Sequence, residues 1–400
     1  MTLHHLDPDV LRLPFYDDDH RRLAHDLDAW CAEHGARWTA EALHDTPDKT
    51  GVRLTRELGA GGWLGFLDPA APPAEGRPGD LRAVCLMRET LAHTEDLADF
   101  AFSIQALAAT PLLRHGSEEQ RRRYLPGMAE GTLIGAFAIS EEGAGSDVGA
   151  LTLAARRDSD GGYVLDGGKA WIANGPIADL YTVVARTGEG AGPLGLTAFL
   201  VPAGTPGLKV AESVDAIAPR AFAHLAFENC RVPAGSVLGR PGGGFVIALD
   251  LLERFRMTVG AAALGFARRA ADTALARARN RPAYGGRLID LQLVKASLAD
   301  MEVRLNAGSL LVARAAWEAD RGSRNFAKHS SIAKLYATET AQQTVDAAVQ
   351  VMGAAGLVRD SVTERLYRQI RSLRVYEGTS EVQRLTIAGA LDNRRANLVG

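Results

Sequence analysis

The chain has 400 residues, 46% hydrophobic and 23% charged, an ordinary globular composition with room for two or three domains. Its net charge of −3 excludes the basic footprint of a nucleic-acid-binding protein and a polybasic membrane patch. No apolar run is long enough to span a bilayer, and the early acid Asp7 argues against a signal or transit peptide. The three cysteines have neither a disulfide framework nor metal-ligand spacing. We therefore predict a soluble cytoplasmic protein with no nucleic-acid, membrane or metal partner.

Three regions of different character follow one another along the chain. From about residue 18 to 124, long runs without turn pairs predict helices. From about residue 131 to 244 glycines multiply, and the pattern predicts strands at 196–201 and 223–227 with turns at 161–162 and 167–168. After residue 244 the pattern is helical again. The predicted core stripes of two long helices there are Leu291, Val294, Leu298, Met301 and Leu305, then Ile332, Leu335, Val345, Ala348 and Met352.

A glycine-rich loop at residues 138–147 opens the middle region. Gly143 and Gly145 let backbone N–H groups approach an anion or a planar ring, and Ser140 and Ser146 add hydroxyl donors. The loop has neither the Gly-Lys-Ser/Thr ending of a Walker loop nor the Gly-x-Gly-x-x-Gly of a dinucleotide fold. A plain polar turn between strands is the alternative interpretation.

A tryptophan follows this loop at position 171. Residues 171–174 read as a hairpin, on which the Trp171 ring is placed to flank a flat cofactor. The alternative interpretation is an ordinary core tryptophan.

Glu377 is the most informative single residue, because it lies between a tyrosine and a glycine just ahead of a predicted helix. Ser380 and Gln383 have the spacing of a capping box, which predicts that the helix begins there. Gly378 permits a close turn that directs the Glu377 side chain into a pocket. Apolar surroundings would raise the pKa of this carboxyl toward that of a working base. A loop glutamate with no chemical role is the alternative.

Several stretches, in this order, resemble the acyl-CoA dehydrogenase family. They are Gly116 to Gln120 with Tyr124-Leu125-Pro126, residues 138–150, Arg281-Pro282-Ala283-Tyr284-Gly285 with Gln292 and Leu298-Ala299-Asp300-Met301, and residues 350–384. The resemblance extends over about residues 20–395. It implies an α+β, mainly α fold, with an N-terminal helical domain at 1–130, a middle β-barrel-like domain at 131–243 and a C-terminal four-helix bundle at 244–400.

The resemblance also implies an FAD-dependent enzyme that oxidises an acyl thioester, carried on coenzyme A or an acyl carrier protein, to its α,β-enoyl product. Glu377 matches the family's catalytic glutamate and would take the α-proton, while flavin N5 would accept the β-hydride. The Glu377 backbone N–H and a flavin ribityl hydroxyl would stabilise the developing enolate. The implied substrate-binding residues are Ser146, Arg254, Arg256 and Gly378. Phe255 occupies the position from which the isovaleryl branch supplies its base, and it cannot accept a proton.

Further positions match residues that contact FAD in the family. They are Phe137, Ser140, Gly145, Ser146, Trp171, Ala173, Arg281, Tyr284, Gln292, Gln350, Gly353, Thr379 and Glu381. Because Arg281 and Gln350 would reach the FAD of a second subunit, the resemblance implies a homotetramer or homodimer. An electron-transferring flavoprotein is the family's usual electron acceptor.

Some positions depart from the family pattern. Ala173 replaces the Ser or Thr whose hydroxyl usually bonds flavin N5, Gln369 replaces an acid, and Ala354 replaces a glycine. Residues 215–222 retain little of the family's Lys-x-Gly-x-Arg pattern near the thioester carrier. This loss suggests an acyl carrier protein rather than free coenzyme A, with simple drift of a surface loop as the alternative.

Two other functions fit the same fold. Flavin monooxygenases and oxidases share it, but the carboxylate at Glu377 favours dehydrogenation. A flavin-bound scaffold protein without catalysis is the second. The acyl group is not apparent from the sequence: Phe102, Ile104 and Leu107 are candidates for setting chain length, and each also fits an ordinary core position.

Overall fold

The structure is a computed structural model that describes residues 5–68, 79–190 and 192–399, with side chains as far as residue 392. The chain forms two compact units. The first comprises residues 1–43, 80–99 and 253–400, and the second comprises residues 44–79 and 100–252. No helix in the described ranges is long and apolar enough to cross a membrane.

The helices, in chain order, are α1 (Pro8–Leu11), α2 (Asp18–His44), α3 (Pro47–Ala60), α4 (Leu81–Thr94), α5 (Asp96–His115), α6 (Glu118–Ala129), α7 (Gly244–Asn280), α8 (Gln292–Asp320), α9 (Phe326–Met352), α10 (Val362–Leu373) and α11 (Ser380–Val399). The strands are β1 (Gly135–Ala138), β2 (Ala154–Arg157), β3 (Tyr163–Ala173), β4 (Leu180–Arg186), β5 (Leu196–Pro202), β6 (Leu208–Ser213), β7 (Phe222–Val232), β8 (Val237–Leu238), β9 (Pro282–Ala283) and β10 (Gly286–Arg287). The helical, β and helical order predicted from the sequence is confirmed.

Local signals explain where several helices start. Thr46 caps α3 ahead of Pro47, and the Asp80 carboxylate accepts from the Ala83 N–H at the start of α4. Helix α6 has a complete capping box, in which Ser117 and Gln120 exchange side-chain and backbone hydrogen bonds. These caps satisfy N–H groups that the first helical turn leaves without partners.

The second unit is built around an eight-stranded sheet with the order β6-β7-β3-β2-β4-β5-β8, and β1 lies parallel to β4. Within the described chain the edge strands β6 and β8 do not pair with each other, so the sheet stays open rather than closing into a barrel. The strands predicted at 196–201 and 223–227 are β5 and part of β7. Aliphatic and aromatic side chains of one sheet face form the core, among them Leu165, Val183, Phe199 and Phe227.

The predicted turn at residues 167–168 is wrong. Gly167 and Gly168 lie inside β3, where the register against β7 shifts between Leu165 and Gly167. The reason is a β-bulge: Gly167 has φ 136°, and a Cβ there would approach Leu153 to 3.0 Å. Glycines that serve a bulge resemble turn glycines in the sequence. The turn at 161–162 does join β2 to β3, with the Gly161 N–H donating to the Asp158 carbonyl.

The first unit is a helical bundle in which α7, α8, α9 and α10 share one core. Met301 and Leu305 of the predicted α8 stripe are buried there, and Leu298 packs against them. The predicted α9 stripe is partly wrong, because Val345 and Ala348 are buried but Ile332, Leu335 and Met352 are half-exposed. The buried face of α9 uses small and polar residues instead: Ser330, Ala333, Lys334, Ala337, Thr338, Ala341 and Thr344.

Candidate active site

A short turn between α10 and α11 presents Glu377. Glu377 adopts φ 55° and Gly378 φ 90°, two consecutive left-handed residues. For a non-glycine residue this conformation costs about 1–2 kcal/mol, so surrounding contacts must hold it. A Cβ on residue 378 would approach Gln383 Nε2 to 2.7 Å, which explains the glycine there. The turn directs the Glu377 side chain into the first unit rather than along a helix face.

Helix α11 begins at Ser380 as predicted, but the predicted capping box is wrong. The Ser380 hydroxyl donates to Glu339 on α9, and Thr379 Oγ1 accepts instead from the Val382 N–H at 3.4 Å. Gln383 Nε2 donates back to the Gly378 carbonyl at 2.8 Å. The polar side chains at the helix start therefore hold the Glu377 turn, because tertiary partners lie within reach.

The Glu377 side chain is half-buried among charges of the first unit. Its Oε2 is inaccessible to solvent and has no hydrogen-bond partner among the described residues. Burial raises the pKa of Glu377, and the Arg88, Lys334 and Arg256 cations oppose that rise, while Asp99 adds to it. A carboxylate with a raised pKa and a solvent-inaccessible oxygen that lacks a described partner is suited to accept a proton from a bound substrate.

One of those cations is fixed by a buried ion pair. Arg88 on α4 donates from Nε and Nη2 to the two Asp99 carboxylate oxygens, each at 2.9 Å, and from Nη1 to Thr258 Oγ1 at 3.0 Å. The side chains of Arg88 and Asp99 are 1% and 4% exposed. This two-pronged geometry fixes a positive charge close to Glu377.

The charge of Arg256 also acts on the Glu377 carboxyl. Its side chain is buried, Nη1 donates to Ser331 at 3.4 Å, and Nε has no partner among the described residues. Arg254, two positions earlier on α7, instead lies over the Phe326 ring at 5.2 Å. Phe255 between them is 2% exposed and part of the core, so it offers no alternative base.

Arg88, Asp99 and Lys334 are the residues near Glu377 that the sequence did not reveal. Lys334 is 1% exposed, and its Nζ donates to the carbonyl oxygen of Tyr376 at 2.6 Å and to that of Gly378. Burial lowers the pKa of Lys334 to about 8, against the attraction of Glu377. A lysine or arginine on a long helix resembles a solvated charge, and only its burial identifies it.

In the second unit, the glycine-rich loop is fixed to strand β3. Lys169 Nζ donates to the Ile139 carbonyl and to Glu141 Oε1, both at 2.8 Å, and the Ala170 N–H donates to the Ser140 carbonyl at 2.9 Å. Glu141 also accepts from the Thr152 and Leu153 N–H groups. These contacts bring Ser140 next to the residue before Trp171, although about 30 positions separate them in the sequence.

The Trp171 segment is the irregular end of β3 rather than a hairpin, since β3 pairs with β2 and β7 and not with β4. Trp171 has φ 61° and lies within a second register shift, between Lys169 and Ile172, and the residue is 55% exposed. Its indole meets the His224 ring edge-on at 4.6 Å. A Cβ on Gly143 or Gly145 would meet nothing within 4 Å. An exposed indole and an open loop backbone therefore fit a flat, polar cofactor such as a flavin.

The other predicted FAD and substrate positions are distributed between the two units. In the second unit Ser146 and Gly145 are exposed, Ala173 is half-buried, and Phe137 is buried in β1. In the first unit the exposed positions are Arg281, Tyr284, Gln292, Gln350, Gly353 and Glu381, and Thr379 is half-buried. Tyr284, at the tip of the β9–β10 hairpin, has φ 48° and is 94% exposed.

Comparison with known proteins agrees with this architecture. Three protein-family models match consecutive segments of the chain. They are the acyl-CoA dehydrogenase N-terminal domain at residues 17–132, the middle domain at 136–230 and the C-terminal domain at 242–391. The human mitochondrial short-chain specific acyl-CoA dehydrogenase is 40% identical over 334 residues, 82% of this chain and 81% of that protein.

Solved structures give the same result. Butyryl-CoA dehydrogenase from Megasphaera elsdenii has a TM-score of 0.85 at 31% identity, over 94% of this chain and 98% of that one. A structure of PigA with FAD and proline has a TM-score of 0.87 at 27% identity, over 94% of this chain and 98% of that one.

The chain therefore belongs to the acyl-CoA dehydrogenase family. It is a flavoprotein oxidoreductase that uses FAD to dehydrogenate the CH–CH bond of an acyl thioester. The predicted fold class, activity and cofactor are confirmed.

Proposed function

We propose that Glu377 is the base that removes the α-proton of the acyl thioester. The observation that carries this proposal is the solvent-inaccessible Oε2 without a hydrogen-bond partner among the described residues, on a strained turn close to cations that oppose the burial-induced rise of its pKa. The proton moves from the α carbon to this oxygen. Bound FAD would supply the hydride acceptor, flavin N5, for the β carbon.

The turn also offers a donor for the thioester carbonyl. The Glu377 backbone N–H makes no hydrogen bond to any described residue. A fixed N–H of this kind would stabilise the negative charge that develops on the carbonyl oxygen as the α-proton leaves. With Glu377 we assign Gly378, Arg254, Arg256 and Ser146 to substrate binding. The free Arg256 Nε supports that role most directly.

For FAD we propose Ser140, Gly145, Ser146, Trp171, Ala173 and Phe137 as the flavin side of the site. The exposed Trp171 indole and the anchored glycine-rich loop support this assignment. Thr379 and Glu381 would contact FAD just after the base, and Arg281, Tyr284, Gln292, Gln350 and Gly353 would reach the FAD of another subunit. We also propose the domain boundaries 1–130, 131–243 and 244–400, which agree closely with the three matched segments.

A homo-oligomer, a tetramer or dimer, follows from those last residues. The first unit exposes large apolar side chains near them, including Leu293 at 86%, Leu357 at 72% and Val358 at 60%. We expect light scattering on the purified holoprotein to give two or four times the 42.6 kDa chain mass. Arg281→Ala is expected to lower the FAD content, whereas the exposed Arg231→Ala should not change it. A monomer with full FAD content would contradict the proposal.

The physiological setting is proposed on general grounds. The buried free thiols of Cys31, Cys85 and Cys230 are typical of a reducing compartment, so we propose a cytoplasmic location. We propose an electron-transferring flavoprotein as the electron acceptor and coenzyme A or an acyl carrier protein as the thioester carrier.

Anaerobic mixing of the holoprotein with an acyl-CoA series tests the function. We expect prompt bleaching of the flavin absorbance and formation of an enoyl thioester. Bleaching that requires NAD(P)H or a reductase would instead indicate the monooxygenase function. If no thioester produced a response, the flavin-bound scaffold would be favoured. Matched acyl-CoA and acyl carrier protein esters in the same experiment decide the carrier, and faster oxidation of the CoA ester would exclude the carrier-protein hypothesis.

A further inference from the structure

The turn that carries Glu377 is held from one side by helix α9. Lys334 Nζ donates to the carbonyl oxygens of Tyr376 and Gly378, the two residues that flank Glu377. One turn further along α9, Glu339 pairs with Arg374 at 2.8 Å. It also accepts from the Ser380 hydroxyl. Two charged side chains of a single helix thus contact both ends of the turn.

Among the described residues, the Lys334 ammonium group makes hydrogen bonds only to the Glu377 turn. An ammonium group that is 1% exposed needs compensation for the water it has lost, and its partners here are two carbonyl oxygens of the Glu377 turn. A hydrogen bond from a charged donor is stronger than a neutral one. The left-handed conformation of Glu377, φ 55°, needs this kind of external support.

We propose that Lys334 is a positioning residue for the base: it holds the Glu377 turn through the two flanking carbonyl groups and keeps a positive charge beside the carboxylate. This inference rests on the proposed role of Glu377 as the base.

The charge of Lys334 is one of several that act on the base. The groups acting on the Glu377 carboxyl are Arg88 on α4, Asp99 on α5, Arg256 on α7 and Lys334 on α9. Those acting on Lys334 are Glu377, Arg256 and Glu339. Arg88 is neutralised by its own bidentate pair with Asp99. The hydrogen-bond partners of Lys334 are instead neutral carbonyl groups, so its charge also opposes the rise of the Glu377 pKa, and its removal should raise that pKa further.

The test compares two variants. Lys334→Met removes both hydrogen bonds to the Glu377 turn and the positive charge, whereas Lys334→Arg keeps the charge. Lys334→Met is expected to slow flavin reduction by acyl-CoA about 10²-fold with a small change in KM, because the base is displaced. In the pH–rate profile, Lys334→Met should also move the acid limb to higher pH by about one unit. The reason is that a nearby positive charge lowers the pKa of a carboxyl group by about that amount or more. Lys334→Arg should keep the limb near its wild-type position.

The control is Lys295→Met on the exposed face of α8, which should leave rate and limb unchanged. A Lys334→Met protein with the wild-type rate and limb would overturn the proposal. So would a variant with lower thermal stability, slower turnover and an unmoved limb, since that pattern indicates a structural role alone. If Lys334→Met does not fold, Lys334→Gln takes its place in the comparison with Lys334→Arg.

A second measurement does not depend on turnover. Infrared spectra follow the protonation of the Glu377 carboxyl with pH, and subtraction of the Glu377→Gln spectrum assigns the band. The band is expected to titrate at higher pH in the neutral Lys334 variants, and an unchanged titration would refute the inference. If the band shifts but no thioester reduces the wild-type flavin, the proposed function fails, whereas the effect of Lys334 on the Glu377 carboxyl is still shown.

Discussion

Glu377→Gln is expected to slow anaerobic flavin reduction by an acyl-CoA about 10²- to 10⁴-fold. The amide matches the carboxylate in shape but cannot accept the α-proton, and the backbone N–H that would hold the thioester carbonyl is retained. Substrate affinity and FAD content should therefore change little. Stopped-flow absorbance under anaerobic conditions measures the rate, and the flavin spectrum of the purified variant measures cofactor content.

Glu302→Gln on the exposed surface of α8 is the matched control and should reduce at the wild-type rate. A Glu377→Gln protein that bleached its flavin as fast as wild type would refute the assignment of the base. A variant that lost FAD as well as activity would instead place Glu377 in cofactor binding.

Arg88→Met is expected to lower the free energy of unfolding by about 3–5 kcal/mol, because it removes the guanidinium that pairs with the buried Asp99 carboxylate. Arg88 and Asp99 are nearly inaccessible to solvent and share two hydrogen bonds of 2.9 Å. The double variant Arg88→Met with Asp99→Leu should recover much of that loss, since apolar residues of similar volume can replace a buried pair. Urea unfolding of the three proteins gives the comparison.

The exposed pair of Lys209 and Glu228 provides the control, because its side chains are more than half exposed. Lys209→Met should cost at most about 1 kcal/mol. Equal losses for Arg88→Met and Lys209→Met would contradict the argument that burial sets the cost. A double variant no more stable than Arg88→Met would show that Arg88 contributes through Thr258 or packing rather than through Asp99.

The Glu377→Gln and Arg88→Met variants distinguish a catalytic role from a structural role. Glu377 has a strained backbone and an unpartnered carboxyl oxygen, which is typical of a functional site. Each of the three guanidinium nitrogens of Arg88 donates to a described partner, which is typical of a structural group. Lys334 combines the two, since it supports the turn and also carries a charge that acts on the base.

Ala173 has a consequence for the cofactor. Its side chain has no hydroxyl for the flavin, and the neighbouring Trp171 ring rests on His224 rather than on an apolar residue. His224 Nε2 is buried without a hydrogen-bond partner in the described ranges. In the proposed flavin site, Ala173 therefore supplies no hydroxyl, and His224 adds a polar group beside Trp171.

Much of this protein was determined by local sequence signals. The helical, β and helical order followed from turn residues and apolar spacing, and the family, its FAD and the position of Glu377 followed from short motifs in a fixed order. Such signals can be read from the sequence because a cap, a glycine turn or a motif depends on residues within a few positions of one another. The strands around residues 196–201 and 223–227 were recognised for the same reason.

The tertiary structure decided what depends on distant residues. The Gly167–Gly168 pair forms a bulge rather than a turn because β7 lies alongside it. The Ser380 hydroxyl does not cap α11, because it donates to Glu339 instead. The buried face of α9 consists largely of small and polar residues, which hydrophobicity alone does not reveal. Arg88 and Lys334 act on Glu377 from α4 and α9, across gaps of hundreds and tens of residues. Only folding removes their water and gives these charges their strength, so their roles could not be predicted from the sequence.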